Sequence, residues 1–383
     1  MRPGRGRCRP SRGPRPAGGS PRWRGRRRPP CRGGRPRTSA RGSPRTWRRR
    51  EPRSGRVRGW WEQGAPAQPA PRPRPVSTRG RQQHFRRWCR IGLWFSRPVT
   101  TIAAPLELLR STLAGRPALP ALSAPAYARA HRTYEAHSDQ RGLLAAWLAD
   151  AVAGALPGPG ARTVLSVGPG DGSVDAPLAQ TLVPGRGPLR WVVAEPDAVV
   201  GERCRARLAE VVAPGGSVVL HAGPFATVAD VVGAEPADVV LAVHSLYYVP
   251  DLAAAVAAAA DRLAPGGSLV VLLAPLEALC LLTEAVDPGS HRWWSDDLPA
   301  ALAAAGLHGT TVRLAGRLDT TACFDPASST GREVLDFLVG ADCGDLDDDA
   351  RGVLLDAVAA IGTRDGDRWT VPHPVDAVVA TRV

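Results

Sequence analysis

Thr163–Asp175 reads TVLSVGPGDGSVD, and Trp191–Asp197, WVVAEPD, follows about one strand–helix unit later. The first stretch is an apolar β-run that ends in three glycines at alternate positions, Gly168, Gly170 and Gly172. The second is another β-run closed by an acid, Glu195. Glycines at the end of a strand let the backbone approach a ligand closely, and a carboxylate at the end of the next strand can accept both hydroxyls of a ribose. Together the two stretches describe the first half of a nucleotide-type site on a doubly wound α/β sheet. The spacing is G-x-G-x-G and not the G-x-G-x-x-G of dinucleotide folds.

The rest of the folded part is consistent with such a sheet. Five short Val/Leu-rich runs, Thr163–Val167, Arg190–Ala194, Ser217–His221, Asp238–Val243 and Ser268–Leu273, carry few polar residues, as strands buried on both faces do. Segments long enough for crossover helices separate them: Val174–Leu182, Ala198–Val212, Pro224–Val232 and Leu252–Leu263. Upstream, Tyr127–Leu156 reads as one helical stretch with a buried stripe Leu143, Trp147, Ala151, ended by Pro157, Gly158 and Gly160. Downstream, helices are expected over Leu276–Ala285, Ser295–Ala305, Arg332–Val339 and Asp348–Ile361, with strands at Gly309–Asp319 and Val375–Arg382. Two late strands after five parallel ones predict a mostly parallel seven-stranded, Rossmann-like sheet within a domain spanning 124–383.

The net charge of +15 averages two unlike parts. Residues 1–98 hold 30 arginines against two acids, Glu51 and Glu62, a surplus of 28 positive charges. The other 285 residues hold 20 arginines against 33 acids, an excess of 13 negative charges. Residues 1–98 show no sustained hydrophobic period, so this segment is expected to be disordered. Three readings of it compete. Arginines interleaved with Trp23, Trp47, Trp60, Trp61, Trp88 and Trp94 suit a nucleic-acid arm. A solvated linker is a second. Translated upstream GC-rich DNA ahead of a true start near Val99 is the third. The acidic folded part argues against nucleic acid as the partner. Seven cysteines without a C-x-x-C pair give neither a zinc pattern nor a disulfide framework, and no metal is expected. Leu252–Leu263 is too short for a membrane span and Asp261 and Arg262 interrupt it, so a cytoplasmic protein is expected.

In open α/β sheets ligands bind beyond the carboxyl ends of the strands. The end of the fourth strand, within ADVVLAVHSLYYVPD (Ala237–Asp251), therefore places Val243, His244 and Tyr247 at the site, with Tyr248 equally suited to packing. His244 and Tyr247 are the candidate catalytic residues, because a histidine there can exchange a proton with a bound molecule. Tyr127, Tyr134 and His137 are candidates for a helical cover. Trp293 and Trp294 contact a ligand or staple a loop, and Phe324 and Phe337 read as pocket or core.

These stretches resemble the class I S-adenosylmethionine-dependent methyltransferases, in which the G-x-G-x-G loop is used, and within them histamine N-methyltransferase and its bacterial relatives. The resemblance runs in order through AHSDQ (Ala136–Gln140), LSVGPGDGSVD (Leu165–Asp175), VVAEPD (Val192–Asp197), SLYYVPD (Ser245–Asp251), SDDL (Ser295–Leu298), DTTACF (Asp319–Phe324) and LDFL (Leu335–Leu338). It implies S-adenosylmethionine as cofactor, held by Gly168, Gly170, Gly172, Glu195 and Val243, and a small-molecule acceptor methylated on nitrogen or oxygen. Many members carry an acid two residues before the first glycine. Here that residue is Ser166, which leaves recognition of the cofactor's amino group to backbone carbonyls or Asp171. The resemblance also assigns Gln140 and His373 to the acceptor, and Tyr134 joins them from its place in the helical cover. Gln140 stands where histamine-methylating members have an acid, which removes the counter-ion for an ammonium group and favours a different acceptor. The rival reading is a nucleic-acid-associated protein that uses the basic arm, with an RNA-methylating or scaffold domain.

Overall fold

A computed structural model describes residues 100–382, apart from 157, 159, 185–186, 213–214, 234 and 288–290. The expectation of a disordered 1–98 segment lies outside the described residues. Strands β1 (Arg162–Val167), β2 (Leu189–Ala194), β3 (Ser217–His221), β4 (Ala237–Val243) and β5 (Leu263–Leu273) pair in parallel. After β6 (Leu307–Leu314), three short strands, β7 (Arg317–Asp319), β8 (Thr363–Asp365) and β9 (Arg368–Pro372), form a separate antiparallel sheet ordered β7-β9-β8. The last strand, β10 (Val375–Arg382), returns to the main sheet antiparallel to both β5 and β6. The main sheet is ordered β3-β2-β1-β4-β5-β10-β6, the expected seven-stranded, mostly parallel, Rossmann-like architecture.

Because successive strand residues point to opposite faces, uninterrupted apolar runs build two cores at once. Val192 and Ala194 of β2 face one layer with Val240 and Ala242 of β4; Trp191 and Val193 face the other with Val239 and Leu241. Among the described residues eleven helices surround the sheets: α1 (Thr100–Leu113), α2 (Ala124–Ala136), α3 (Gln140–Ala155), α4 (Asp175–Leu182), α5 (Ala198–Val212), α6 (Val228–Val232), α7 (Leu252–Asp261), α8 (Ala278–Val286), α9 (Leu298–Ala304), α10 (Ser329–Val339) and α11 (Asp348–Ile361). α7 and α9 cover the first face, α3, α4 and α5 the second. A third core joins α1, α8, α10 and α11 beyond the carboxyl ends of the strands.

Four expectations are corrected, and one element is added. The folded unit reaches back to Thr100 and does not begin at Ala124, because Leu106 and Leu109 of α1 bury themselves in the third core. The stretch Tyr127–Leu156 is two helices, broken where Ser138 makes a β-bridge to Leu318 and Asp139 N–H donates to Arg317 O. The buried stripe of α3 is Gln140, Leu144, Leu148, Val152, one residue on from Leu143, Trp147, Ala151; Leu143 is exposed. Gly309–Asp319 splits at Ala315–Gly316 into β6 and β7, which belong to different sheets. The β8–β9 hairpin was not anticipated. Among the described residues no helix is long and apolar enough to cross a membrane.

Candidate active site

The loop after β1 holds Gly168, Gly170 and Gly172 at φ +60°, +60° and +77°, a region that side chains with a Cβ enter at a cost. The glycines serve different ends. A Cβ built on Gly170 meets nothing within 4 Å, so the backbone there faces open space. A Cβ on Gly172 would come 2.8 Å from Cys204 Sγ and 3.0 Å from Cys204 Cα, so this glycine lets α5 pack against the loop. Glu195, directly after β2 and only 7% exposed, turns back to the loop. Its Oε2 accepts the Gly170 N–H (3.0 Å) and its Oε1 the Asp197 N–H (3.1 Å). Burial pushes the Glu195 carboxyl upward, and these two donors oppose it. Asp171 is turned toward α5, with Arg207 Nη1 at 2.9 Å, and it accepts the Ser173 N–H (3.1 Å). A left-handed loop with open space at its middle glycine and an acid at its edge fits S-adenosylmethionine. Gly168, Gly170, Gly172, Glu195 and Val243 are the residues that would hold it.

Ser166 has an unanticipated partner. Its hydroxyl donates to the carboxylate of Asp175 at the start of α4, and Trp191 Nε1 donates to Ser166 Oγ (2.9 Å) and Asp175 Oδ1 (3.3 Å). A buried carboxylate thus sits beneath the loop although the strand itself carries none. Burial pushes Asp175 up to about 6, against the hydrogen bonds from Ser166 and Trp191. In the unfolded chain the group ionises near 4, so the folded state keeps its proton to higher pH. Its contribution to stability is full below about pH 4 and is lost as the pH rises to about 6, on the order of 2–3 kcal/mol. Asp175→Asn is expected to flatten that slope. Urea unfolding at pH 4.5 and 7 compares the two proteins, and an unchanged slope would remove Asp175 as its source.

Beyond the strand ends lies a cavity of about 280 Å³. It reaches Val174, two residues past the glycine loop, so it adjoins the cofactor cradle. Its floor is the end of β4 and the segment after β5: His244, Tyr247, Tyr248, Ala274 and Trp294. Its cover comes from α2, the start of α3 and α10, through Tyr127, His131, Tyr134, Gln140 and Phe337. His373, between β9 and β10, closes one side. The structure therefore brings together His244, Tyr247, Gln140, Tyr134 and His373. His137 does not reach the cavity; its Nδ1 lies 2.8 Å from Thr133 O. Trp293 staples a loop through Nε1–H to Val249 O (2.8 Å), whereas Trp294 lines the cavity. Phe337 lines it too, and Phe324 stacks on Trp369 at 4.7 Å.

Two hydrogen-bond chains run along this cavity, and the backbone donors at their heads favour one set of proton positions. Ala274 N–H donates to Tyr247 Oη (2.9 Å), which turns the phenol's own hydrogen toward His244 Nδ1 (2.8 Å). The His244 proton then sits on Nε2, an atom shut off from solvent and without a hydrogen-bond partner among the described residues. In the second chain Gln140 N–H donates to Ser138 Oγ (3.1 Å), and Ser138 O–H to His373 Nδ1 (2.8 Å). His373 Nε2–H then donates to Tyr134 Oη (2.8 Å), which leaves the Tyr134 hydrogen for the cavity. Burial holds His244 near 3 and His373 near 4, so both rings are neutral at pH 7. With the proton on Nε2 and burial opposing the cation, His244 can donate a hydrogen bond to a bound molecule. Gln140 works as a clip: its Nε2–H donates to His373 O (2.9 Å), made possible by the close approach of Gly316.

His244 also has the backbone signature of a functional position. It sits at φ +52°, and Ala278 is the other non-glycine residue with positive φ among those described. Such strain costs on the order of 1 kcal/mol and persists where neighbouring contacts over-determine it. Sequence reasoning missed His131, Ser138, Glu135, Arg141, Glu277, Cys280 and Arg292. The first two were findable, since Tyr127, His131, Tyr134 and Ser138 recur at near-helical intervals.

Comparison with known proteins decides the class. A family model described as "Methyltransferase domain" matches residues 136–308. The chain carries a class I S-adenosylmethionine-dependent methyltransferase domain. S-adenosylmethionine is its methyl donor, and the protein is an enzyme. No curated protein matches the sequence significantly. Among solved structures the methyltransferase is similar to the YcgJ protein from Bacillus subtilis (14% identity, 61% of this chain and 97% of that one, TM-score 0.41). It is also similar to a SAM-dependent methyltransferase from Thiobacillus denitrificans in complex with S-adenosyl-L-homocysteine (15%, 62% and 91%, 0.35). A third is the magnesium protoporphyrin IX methyltransferase from Synechocystis with bound SAH (17%, 60% and 87%, 0.33).

Proposed function

We propose that the enzyme methylates a nitrogen or oxygen of a small-molecule acceptor bound in the cavity beside the glycine loop. One observation carries the reading: a strained histidine at the end of β4, whose sheltered Nε2 has no hydrogen-bond partner among the described residues, lines a cavity that adjoins the cradle. When bound, S-adenosylmethionine supplies a methyl group on an electrophilic sulfonium. Catalysis of such a transfer rests on alignment and on exclusion of water. His244 and Tyr134 do the aligning by donating hydrogen bonds to lone-pair atoms of the acceptor, with Tyr247 and His373 locking each donor in place. The aromatic cover of Tyr127, Tyr134 and Phe337 keeps water out. A narrower kinship to the histamine N-methyltransferase group is part of this proposal, supported by the order of motifs from Ala136 to Leu338.

The test is methyl transfer from labelled cofactor to a panel of amines, imidazoles, phenols and carboxylic acids; cofactor binding without transfer to any of them would refute the reading. Glu195→Ala is expected to weaken S-adenosylhomocysteine by about 1.5–3 kcal/mol, since charge-assisted hydrogen bonds to the ribose are at stake. Calorimetric titration measures this, and unchanged affinity in a folded variant removes Glu195 from the site. We also propose that residues 1–98 are dispensable: a chain beginning at Val99 should keep full methyl transfer, and loss of activity on their deletion would show the opposite.

A further inference from the structure

Among the charged side chains that line the cavity, the carboxylates are already matched. Glu135 is paired with Arg141 and has His131 Nε2 at 3.3 Å. Glu277 holds Arg313, whose Nη1 lies 3.1 Å from both carboxylate oxygens. Arg292 differs. Its side chain is 13% exposed and lines the cavity, and its Nη1 is shut off from solvent with no hydrogen-bond partner among the described residues. Its other terminal nitrogen, Nη2, forms an ion pair with Asp287 at 3.6 Å, a contact too long for a hydrogen bond and to a carboxylate that is 48% exposed. Glu284 also feels this cation, but burial pushes its carboxyl upward and Trp294 takes its hydrogen bond. A sheltered guanidinium nitrogen with nothing to donate to costs stability, and such groups persist where a ligand completes them.

We propose that the acceptor is a planar, carboxylate-bearing molecule whose carboxylate is held by Arg292. This deepens the methyl-transfer reading and rests on it. The other polar groups of the cavity agree with it. His244 Nε2–H and the Tyr134 hydroxyl are donors, so they suit lone-pair atoms and oppose an ammonium group. Gln140, at the position that would supply an acid for an amine, spends its side-chain N–H on His373 O. Aromatic rings stand on both sides, Phe337 with its neighbours on the cover and Tyr247 against Trp294 on the floor (centroids 5.7 Å apart), which favours a flat molecule. One guanidinium balances the single charge of a carboxylate and would leave a phosphate dianion half compensated, so the carboxylate is the better match.

The test uses matched sets of one ring scaffold bearing carboxylate, carboxamide or aminomethyl groups, with benzoate, benzamide and benzylamine as the simplest set and two-ring analogues beside it. Each is titrated calorimetrically into the full-length protein saturated with S-adenosylhomocysteine. The acids should bind about tenfold or more tightly than their amides, and the amines more weakly still. Arg292→Met should abolish the advantage of acid over amide, leave the amide within about twofold, and raise the melting temperature of the ligand-free protein by removing a sheltered cation. Arg292→Lys should retain part of the preference for acids. No preference for acids in any set, a preference unchanged in Arg292→Met, or a lower melting temperature in that variant would each overturn the assignment. If labelled methyl reaches amines or phenols and never acids, methyl transfer stands and this inference falls. If acids bind through Arg292 and nothing is methylated, the anion site stands and the methyl-transfer reading falls.

Discussion

Gly172→Ala is expected to destabilise the methyltransferase domain by about 2–4 kcal/mol. Two costs add. The residue sits at φ +77°, where an L side chain strains the backbone. The new methyl would also lie 2.8 Å from Cys204 Sγ and 3.0 Å from Cys204 Cα, both on α5. Backbone cannot yield as a flexible side-chain tip can, so the helix must shift, and Glu195 faces the same loop. Denaturant unfolding should show the loss, together with weaker cofactor binding. Gly170→Ala separates the two costs, because it carries similar strain (φ +60°) but meets no atom within 4 Å. Equal stability of the two variants would show that packing against Cys204 contributes nothing.

Replacing His244 with alanine should lower turnover about 100-fold, comparable with the loss of one preorganised donor, and leave S-adenosylhomocysteine affinity within about twofold. The cofactor cradle is built mainly from the ends of β1 and β2, with Val243 of β4 beside them, whereas the His244 side chain lines the cavity. His244→Gly adds a second readout. Glycine relieves the positive φ, so this variant should be about 1 kcal/mol more stable than His244→Ala while equally inactive. A full-speed alanine variant would end the case for His244, and equal stability of the two would show that φ +52° stores no strain. Tyr247→Phe should fall between wild type and His244→Ala, since it frees the ring without removing it.

The sheet and cradle were legible because a few contiguous residues encode them. Strands buried on both faces leave unbroken Val/Leu runs, and the glycine loop and Glu195 each close one of those runs. The cover was harder. Its residues come from α2, α8, α10, the segment around Arg292 and the turn at His373, and only tertiary packing brings these together. Arg292 carries no local signal; it stands beside Trp293 and Trp294 and acquires meaning from an Nη1 that has no hydrogen-bond partner among the described residues. The stripe on α3 was misplaced by one residue because apolar residues sit in adjacent pairs, Leu143 with Leu144 and Trp147 with Leu148, and suit either register. Ser138 broke an apparent helix because pairing with Leu318 outweighed continued helical hydrogen bonding. The β8–β9 hairpin is short and mostly polar, so alternation was weak, although Asp365-Gly366 is a turn signal.

The position of β10 sets an order of events during synthesis. It is the latest strand in the sequence, yet it lies between β5 and β6 and contributes Val375, Ala377, Val378 and Ala380 to both cores. A ribosome-bound chain that has released β1 to β6 can pair the first five strands, but β6 has no neighbour and β5 has a bare edge until β10 emerges. His373 lies two residues before this strand, so its hydrogen bond to Tyr134 in the cavity is made in the same closing step. Nascent chains stalled before Val375 should expose two open strand edges, the kind of surface that chaperones cover and aggregation exploits.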